Sequence, residues 1–143
     1  MSEPVILLVD DNANDVELTL RALQRNHIAA RVIVAADGAE ALDCLFARGL
    51  HADRTKADTP RLILLDWNLP RISGHEVVRA IRDDERTGIL PVVVLTTADD
   101  DAVRRAAYGA GANSYVRKPV EFEAFAAAIN QICMYWLVLN DRP

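Results

Sequence analysis

Five side chains in this sequence carry groups able to do chemistry: the acidic pair Asp10 and Asp11, the lone acid Asp66, the hydroxyl of Thr96 and the amine of Lys118. Each stands at or just beyond the end of a short apolar run. Val5 to Val9 runs into Asp10-Asp11-Asn12, Leu62 to Leu65 ends in Asp66, Pro91 to Leu95 ends in Thr96-Thr97, and Asn113 to Val116 is followed by Arg117, Lys118 and Pro119. A continuous apolar run closed by a turn signal reads as a strand buried on both faces of a parallel sheet. The carboxyl ends of such strands are where open α/β sheets bind ligands.

If those ends share one edge, three carboxylates lie a few ångströms apart and repel by roughly 4 kcal/mol per close pair at an effective dielectric near 20, so a cation must offset them. An oxygen-only donor set with no Cys or His suits Mg²⁺, which binds through one or two carboxylates and completes its shell with waters and a phosphate oxygen. An acid cluster beside a lysine therefore reads as a phosphoryl site. The metal would bridge acceptor and phosphoryl group, Lys118 would neutralise a second oxygen, and the Thr96 hydroxyl would donate to a third. Each residue also has a structural reading. Asp10 and Asp11 could cap the following helix, Asp66 could begin a turn, Thr96 could be an idle strand-end hydroxyl, and Lys118 could be a cation reaching from the sheet edge to water.

The elements that must position these groups follow from periodicity. Val16, Leu20 and Leu23 give helical spacing after the first acids, with Asn12 or Asn14 available as cap. Arg31 to Ala35 is a shorter, more polar strand suited to an edge, and Asp37-Gly38 turns into a helix whose stripe is Ala41, Leu42, Leu45 and Phe46. Residues 49–60 have no sustained period and read as a long surface loop, either tolerated and disordered or contacting a partner. After Asp66, Leu69-Pro70 and Ser73-Gly74 form a loop, and His75 to Asp84 is a helix with Val77, Val78 and Ile81 inward. Three acids, Asp99 to Asp101, precede a helix expected to run from Ala102 to about Tyr108, stopped by Gly109 and Gly111. A final helix begins near Glu121. Five strands alternating with five helices predict an α/β fold, a doubly wound five-stranded parallel sheet with helices on both faces.

Composition narrows the partners. A chain of 143 residues, 51% hydrophobic, suits one domain, expected over residues 1–143. A net charge of -5 disfavours direct nucleic-acid binding, which normally appears as clustered Lys and Arg. Cys44 and Cys133 are far apart without metal-ligand spacing and read as buried thiols of a reducing compartment. His27, His51 and His75 stand apart from the cleft motifs and read as surface or helix residues. No signal peptide is apparent, and the longest apolar run, Ile132 to Leu139, is short of the roughly 18 residues of a membrane span. A cytoplasmic location without a membrane partner is the expectation.

Taken together, Asp10 and Asp11, Asp66, Thr96, Tyr115 and the Lys118-Pro119 pair, in this order and at these separations, resemble the receiver domain of two-component response regulators. The resemblance covers nearly the whole chain and implies a flavodoxin-like strand order 2-1-3-4-5. It implies that Asp66 is the phosphoacceptor for a histidine kinase, Asp11 a direct Mg²⁺ ligand, Asp10 a ligand largely through water, and Asn68 a ligand through its backbone carbonyl. It also implies that Thr96 and Tyr115 form a switch pair, although a half-buried strand tyrosine such as Tyr115 also suits a core role. Lys118 would bind a phosphoryl oxygen, and the Lys118-Pro119 peptide is commonly cis in that family. No enzymatic activity is implied beyond assisting its own phosphorylation and dephosphorylation.

Two features depart from the plainest members: the loop at 49–60, and a last helix followed by no DNA-binding or enzymatic output domain, so that output is expected from the receiver surface. Phe122, Phe125, Ile129, Ile132, Trp136 and Leu139 form a core stripe, while Met134, Tyr135, Leu137 and Val138 make the final turns apolar nearly all round. Such a surface predicts a contact with another chain, and a homodimer through this helix and tail is expected. The loop, the residues around Asp66 and the Trp-containing tail resemble in particular the receivers paired with phytochrome-type, light-sensing kinases, and a kinase outside light sensing is the alternative. A Mg²⁺-dependent aspartyl-nucleophile phosphatase is more distant, because its chemistry usually wants an acid where Asn68 stands. A flavodoxin-like cofactor binder lacks its phosphate loop here, and a pseudo-receiver would not keep the full set of acids, hydroxyl and lysine.

Overall fold

Residues 3–55 and 58–143 are described by a computed structural model. Strands β1 (Val5–Val9), β2 (Arg31–Ala35), β3 (Leu62–Asp66), β4 (Val92–Thr96) and β5 (Ser114–Arg117) alternate with helices α1 (Ala13–Arg25), α2 (Gly38–Leu45), α3 (Gly74–Asp83), α4 (Asp101–Ala110) and α5 (Phe122–Cys133). All pairings are parallel, in the order β2-β1-β3-β4-β5. This is the doubly wound sheet that the alternation predicts.

Alternation along the buried strands divides the core between the two faces. Val5, Leu7, Val9, Ile63, Leu65, Val92 and Val94 face one way and pack with Ala41 and Cys44 of α2, Val77, Val78 and Ile81 of α3, and Ala107 and Ala110 of α4. Ile6, Leu8, Leu62, Leu64, Val93 and Leu95 face the other way, against Ala22 and Leu23 of α1 and Phe125, Ile129 and Ile132 of α5. β1 and β4 are buried at every position, whereas β2 and β5 at the edges are not.

Four helices start on a side-chain cap that satisfies otherwise orphaned amides. Asn12, Asp37, Ser73 and Asp100 accept from the N–H groups of Asp15, Glu40, Glu76, and Ala102 with Val103, respectively. Of the two asparagines offered as caps for α1, Asn12 does the work.

Several boundaries differ from expectation for identifiable reasons. Gly109 lies inside α4, and Gly111, at φ 118°, alone provides the left-handed stop. Phe46 lies past α2 and outside the core; its ring is flanked by the guanidinium groups of Arg48 and Arg86 at 5.3 and 4.9 Å. His51 is not a free surface residue. It sits in a 3-10 turn at Gly49–His51, with Nε2 3.1 Å from Glu40 Oε2 and Nδ1 accepting from Arg54 Nε at 3.2 Å. The loop prediction for 49–60 is thus replaced over its first residues by a pinned turn, while at Lys56 and Ala57 it lies outside the described residues.

The last helix continues as a π-helical segment, Met134–Leu139. Its wider turn breaks the alternating three-four spacing, so Leu139 leaves the predicted stripe and is 69% exposed, while Leu137 packs against the core beside Trp136. Phe122–Leu139 together form the one helix among the described residues long and apolar enough to cross a membrane by length and composition. That length exceeds the run counted from sequence, and its inner side is the core contact just described. Cys44 and Cys133 are buried free thiols, and burial pushes Cys133 up to about 12.

Candidate phosphoacceptor site

Strand register assembles the site. Val9 pairs with Leu65, so the next residues, Asp10 and Asp66, leave adjacent strands at one level. Asp66 pairs with Leu95 and Thr96 with Arg117, so Thr96 stands one step further along on β4 and Lys118 one step beyond that, just after β5. The Lys118 N–H donates to the Thr96 carbonyl at 2.7 Å, which holds that descending edge together.

The acids predicted to cluster do so. One carboxylate oxygen from each of Asp10, Asp11 and Asp66 lies within 4.8 Å of the others. Asp10 is buried and fully engaged: Oδ1 accepts from the Asn12 N–H at 3.0 Å and Oδ2 from Lys118 Nζ at 3.2 Å. Asp11 is exposed and Asp66 half-buried, so the cluster opens to solvent on one side. Three like charges at this spacing repel by roughly 3 kcal/mol per pair at an effective dielectric near 20. The all-oxygen donor set, one member open to water, fits a hard divalent cation.

Protonation equilibria report the same crowding. Burial, with the neighbouring charges of Asp10 and Asp11, pushes Asp66 up to about 6 against the pull of Lys118. Burial acts to lower Lys118, but the carboxylates of Asp10, Asp66 and Asp15 outweigh it and the net shift is upward. Lys118 is therefore a charged amine held among acids.

Thr96 is 1% exposed, and its Oγ1 accepts from the Ala98 N–H at 3.2 Å, which leaves the hydroxyl proton available to donate. Tyr115 is half-buried against the core and its hydroxyl donates to the Ala98 carbonyl at 2.9 Å, with the Arg104 guanidinium 5.6 Å from its ring centroid. The two residues thus meet through Ala98. The cis expectation for Lys118-Pro119 is not met. No described peptide bond is cis, and the trans amide is the intrinsically favoured form.

Three residues near the site escaped sequence reasoning. Asp15 Oδ2 lies 3.5 Å from Lys118 Nζ, a contact that an acid in the first turn of a helix does not announce. Asp37, capping α2, also pairs with Arg71 in the β3–α3 loop, where Arg71 adopts φ 65°. Nothing in the local sequence announces that contact, because it joins two loops 34 positions apart.

Known proteins share this fold over nearly the whole chain. A family model described as the response regulator receiver domain matches residues 6–130. The chain belongs to the response regulator receiver family. Among its relatives, the "Probable methanogenesis regulatory protein FilR2" of Methanothrix harundinacea is 41% identical over 139 residues, covering 97% of this chain and 87% of its own. Response regulator Rcp1 of Synechocystis sp. is 34% identical over 141 residues, covering 97% of this chain and 92% of its own. The structure of the Mn²⁺-bound form of Rcp1 matches with a TM-score of 0.86 at 32% identity, over 98% of this chain and 99% of that one. The phosphorylated cyanobacterial phytochrome response regulator RcpA matches with a TM-score of 0.90 at 32% identity, over 99% of each chain. Receivers bind a divalent metal and accept phosphate from histidine kinases, and this receiver closely resembles phytochrome response regulators.

Proposed function

We propose that this receiver, a single domain over residues 1–143, takes a phosphoryl group from a phosphohistidine onto Asp66 with Mg²⁺ bound at the acid cluster. The observation that carries the reading is the convergence of Asp10, Asp11 and Asp66 with Lys118 at one sheet edge. Asp11, Asp66 and the Asn68 carbonyl would hold the cation directly, and Asp10 would act through water. Bound there, the cation supplies charge neutralisation for the acids and the incoming phosphoryl oxygens. An Asp66 carboxylate oxygen bonds to phosphorus as the P–N bond breaks, and the electron pair stays on the imidazole nitrogen. Lys118 pairs with one phosphoryl oxygen and the Thr96 hydroxyl donates to another. Drawing Thr96 toward phosphate changes its contact with Ala98, and Tyr115, tied to the same residue, carries the change to the α4–β5 surface. The protein acts as a signalling switch rather than as an enzyme on other substrates.

Acetyl phosphate labelling tests this reading. The wild type is expected to incorporate about one phosphoryl group per chain, dependent on Mg²⁺ and blocked by EDTA, and Asp66→Asn to incorporate none. Label persisting on the variant would move the acceptor elsewhere.

The donor is a phytochrome-type histidine kinase in the cytoplasm, a reading supported by the likeness to Rcp1 and RcpA over nearly the full chain. A kinase outside light sensing is the second reading, supported by the likeness to FilR2 at 41% identity. Transfer rates from a panel of purified kinases separate the two. The exposed apolar side chains of the last turns, Met134, Tyr135, Val138 and Leu139, support a homodimer through α5 and its π-helical extension.

A further inference from the structure

We propose that Asp15 is a positioning residue for phosphoryl transfer, its carboxylate holding the Lys118 ammonium where the phosphoryl group on Asp66 will need it. The inference rests on the phosphoacceptor reading above and deepens it. Lys118 Nζ is held in a fork between Asp10 Oδ2 at 3.2 Å on the β1 side and Asp15 Oδ2 at 3.5 Å on the first turn of α1. The Lys118 side chain is only 11% exposed, so its amine depends on these partners rather than on water.

Asp15 is itself fixed. Its N–H donates to Asn12 Oδ1 at 3.1 Å, the Asn12 N–H donates to Asp10 Oδ1 at 3.0 Å, and Thr19 Oγ1 donates to the Asp15 carbonyl at 3.0 Å. Asp10, Asn12, Asp15 and Lys118 therefore close a ring of contacts that ties the helix to the amine. The two tines of the fork differ in one decisive respect. Asp10 belongs to the acid cluster, where a cation competes with Lys118 for its charge, whereas Asp15 lies outside that cluster. Asp15 remains the partner of Lys118 when Asp10 is drawn to the metal. It also lines a cavity of about 290 Å³ with Lys118, Leu18, Pro119 and Phe122. A lysine otherwise free to sample many rotamers is thereby pre-organised for the phosphoryl oxygen.

The test is a double-mutant cycle of Asp15→Asn and Lys118→Ala with two readouts. The first is the initial rate of Asp66 labelling by subsaturating acetyl phosphate with Mg²⁺, in which the Asp66 oxygen bonds to phosphorus as acetate leaves with the electron pair. Asp15→Asn is expected to slow labelling about 3- to 5-fold in the Lys118 protein, the fold-change of one partly exposed ion pair, and to change nothing in the Lys118→Ala protein. Asp15→Glu restores most of the rate. The second is the urea midpoint without metal, which falls with Asp15→Asn only where Lys118 is present. Equal slowing in both backgrounds, or an unchanged rate in Asp15→Asn, would overturn the positioning role. A wild type that takes no label would instead overturn the phosphoacceptor reading beneath it.

Discussion

At the scale of single residues, Asp66 shows how a site is made by placing a group where it is least comfortable. The folded protein holds the Asp66 proton up to about pH 6, whereas the unfolded chain releases it near 3.8. Between these values the folded state binds more protons, so in this contribution metal-free stability falls as pH rises from about 4 to about 6. Urea unfolding across that range is expected to show the slope in the wild type and not in Asp66→Asn. At pH 7 the variant is expected to be more stable by up to about 3 kcal/mol without metal. Adding Mg²⁺ should stabilise the wild type and leave the variant nearly unmoved, because binding to the folded state alone is what raises stability. Asp66 itself was legible because a strand-end acid among other strand-end acids has few structural excuses. Asp15 was not, since an acid in the first turn of a helix is unremarkable until the lysine opposite it is located.

At the scale of elements, the turns between helices and strands are held by contacts no local pattern announces. Arg82 on α3 donates to the carbonyls of Gly111, Gly88 and Leu90 at 2.9, 3.2 and 2.8 Å and to Asn113 Oδ1 at 2.7 Å. One guanidinium thus joins α3 to the segment leading into β4 and to the α4–β5 turn. Arg82→Ala is expected to lower stability by about 2–4 kcal/mol, because carbonyls lose a charged donor, and Arg82→Lys should recover little of it, as a single ammonium cannot reach the same fork of acceptors. Denaturant midpoints of the two variants check this. Gly74 opens α3 with no room to spare: a Cβ there would lie 2.7 Å from the Trp67 carbonyl oxygen. Gly74→Ala should therefore displace the segment just after Asp66, costing about 1–3 kcal/mol in stability and slowing acetyl phosphate labelling at the same time. In a sequence Arg82 looks like a solvated helix cation and Gly74 like part of a turn. Their roles depend on what the fold brings against them.

At the scale of the whole molecule, the two faces of the sheet are covered by helices, and the last turns carry a run of exposed apolar side chains, Met134, Tyr135, Val138 and Leu139. Val138 is 64% exposed and Leu139 69%. A homodimer through this surface predicts that Val138→Asp gives a monomer by sedimentation at tens of micromolar, with labelling of Asp66 retained, because the substitution lies in the π-helical extension and not at the acid cluster. A wild type that is monomeric at the same concentration, with and without phosphoryl donor, would remove the dimer.

The sequence by itself determined the strands, their order of appearance and the residues at the strand ends. Those features are local: apolar runs, turn residues and helical spacing act within a few positions along the chain. Only the tertiary structure decided that the last helix widens and turns Leu139 outward, that Arg82 bridges three segments and that Asp15 reaches Lys118. Those outcomes depend on which distant residues pack together, and burial, register and charge pairing across the sheet settle them with no trace in the neighbouring sequence.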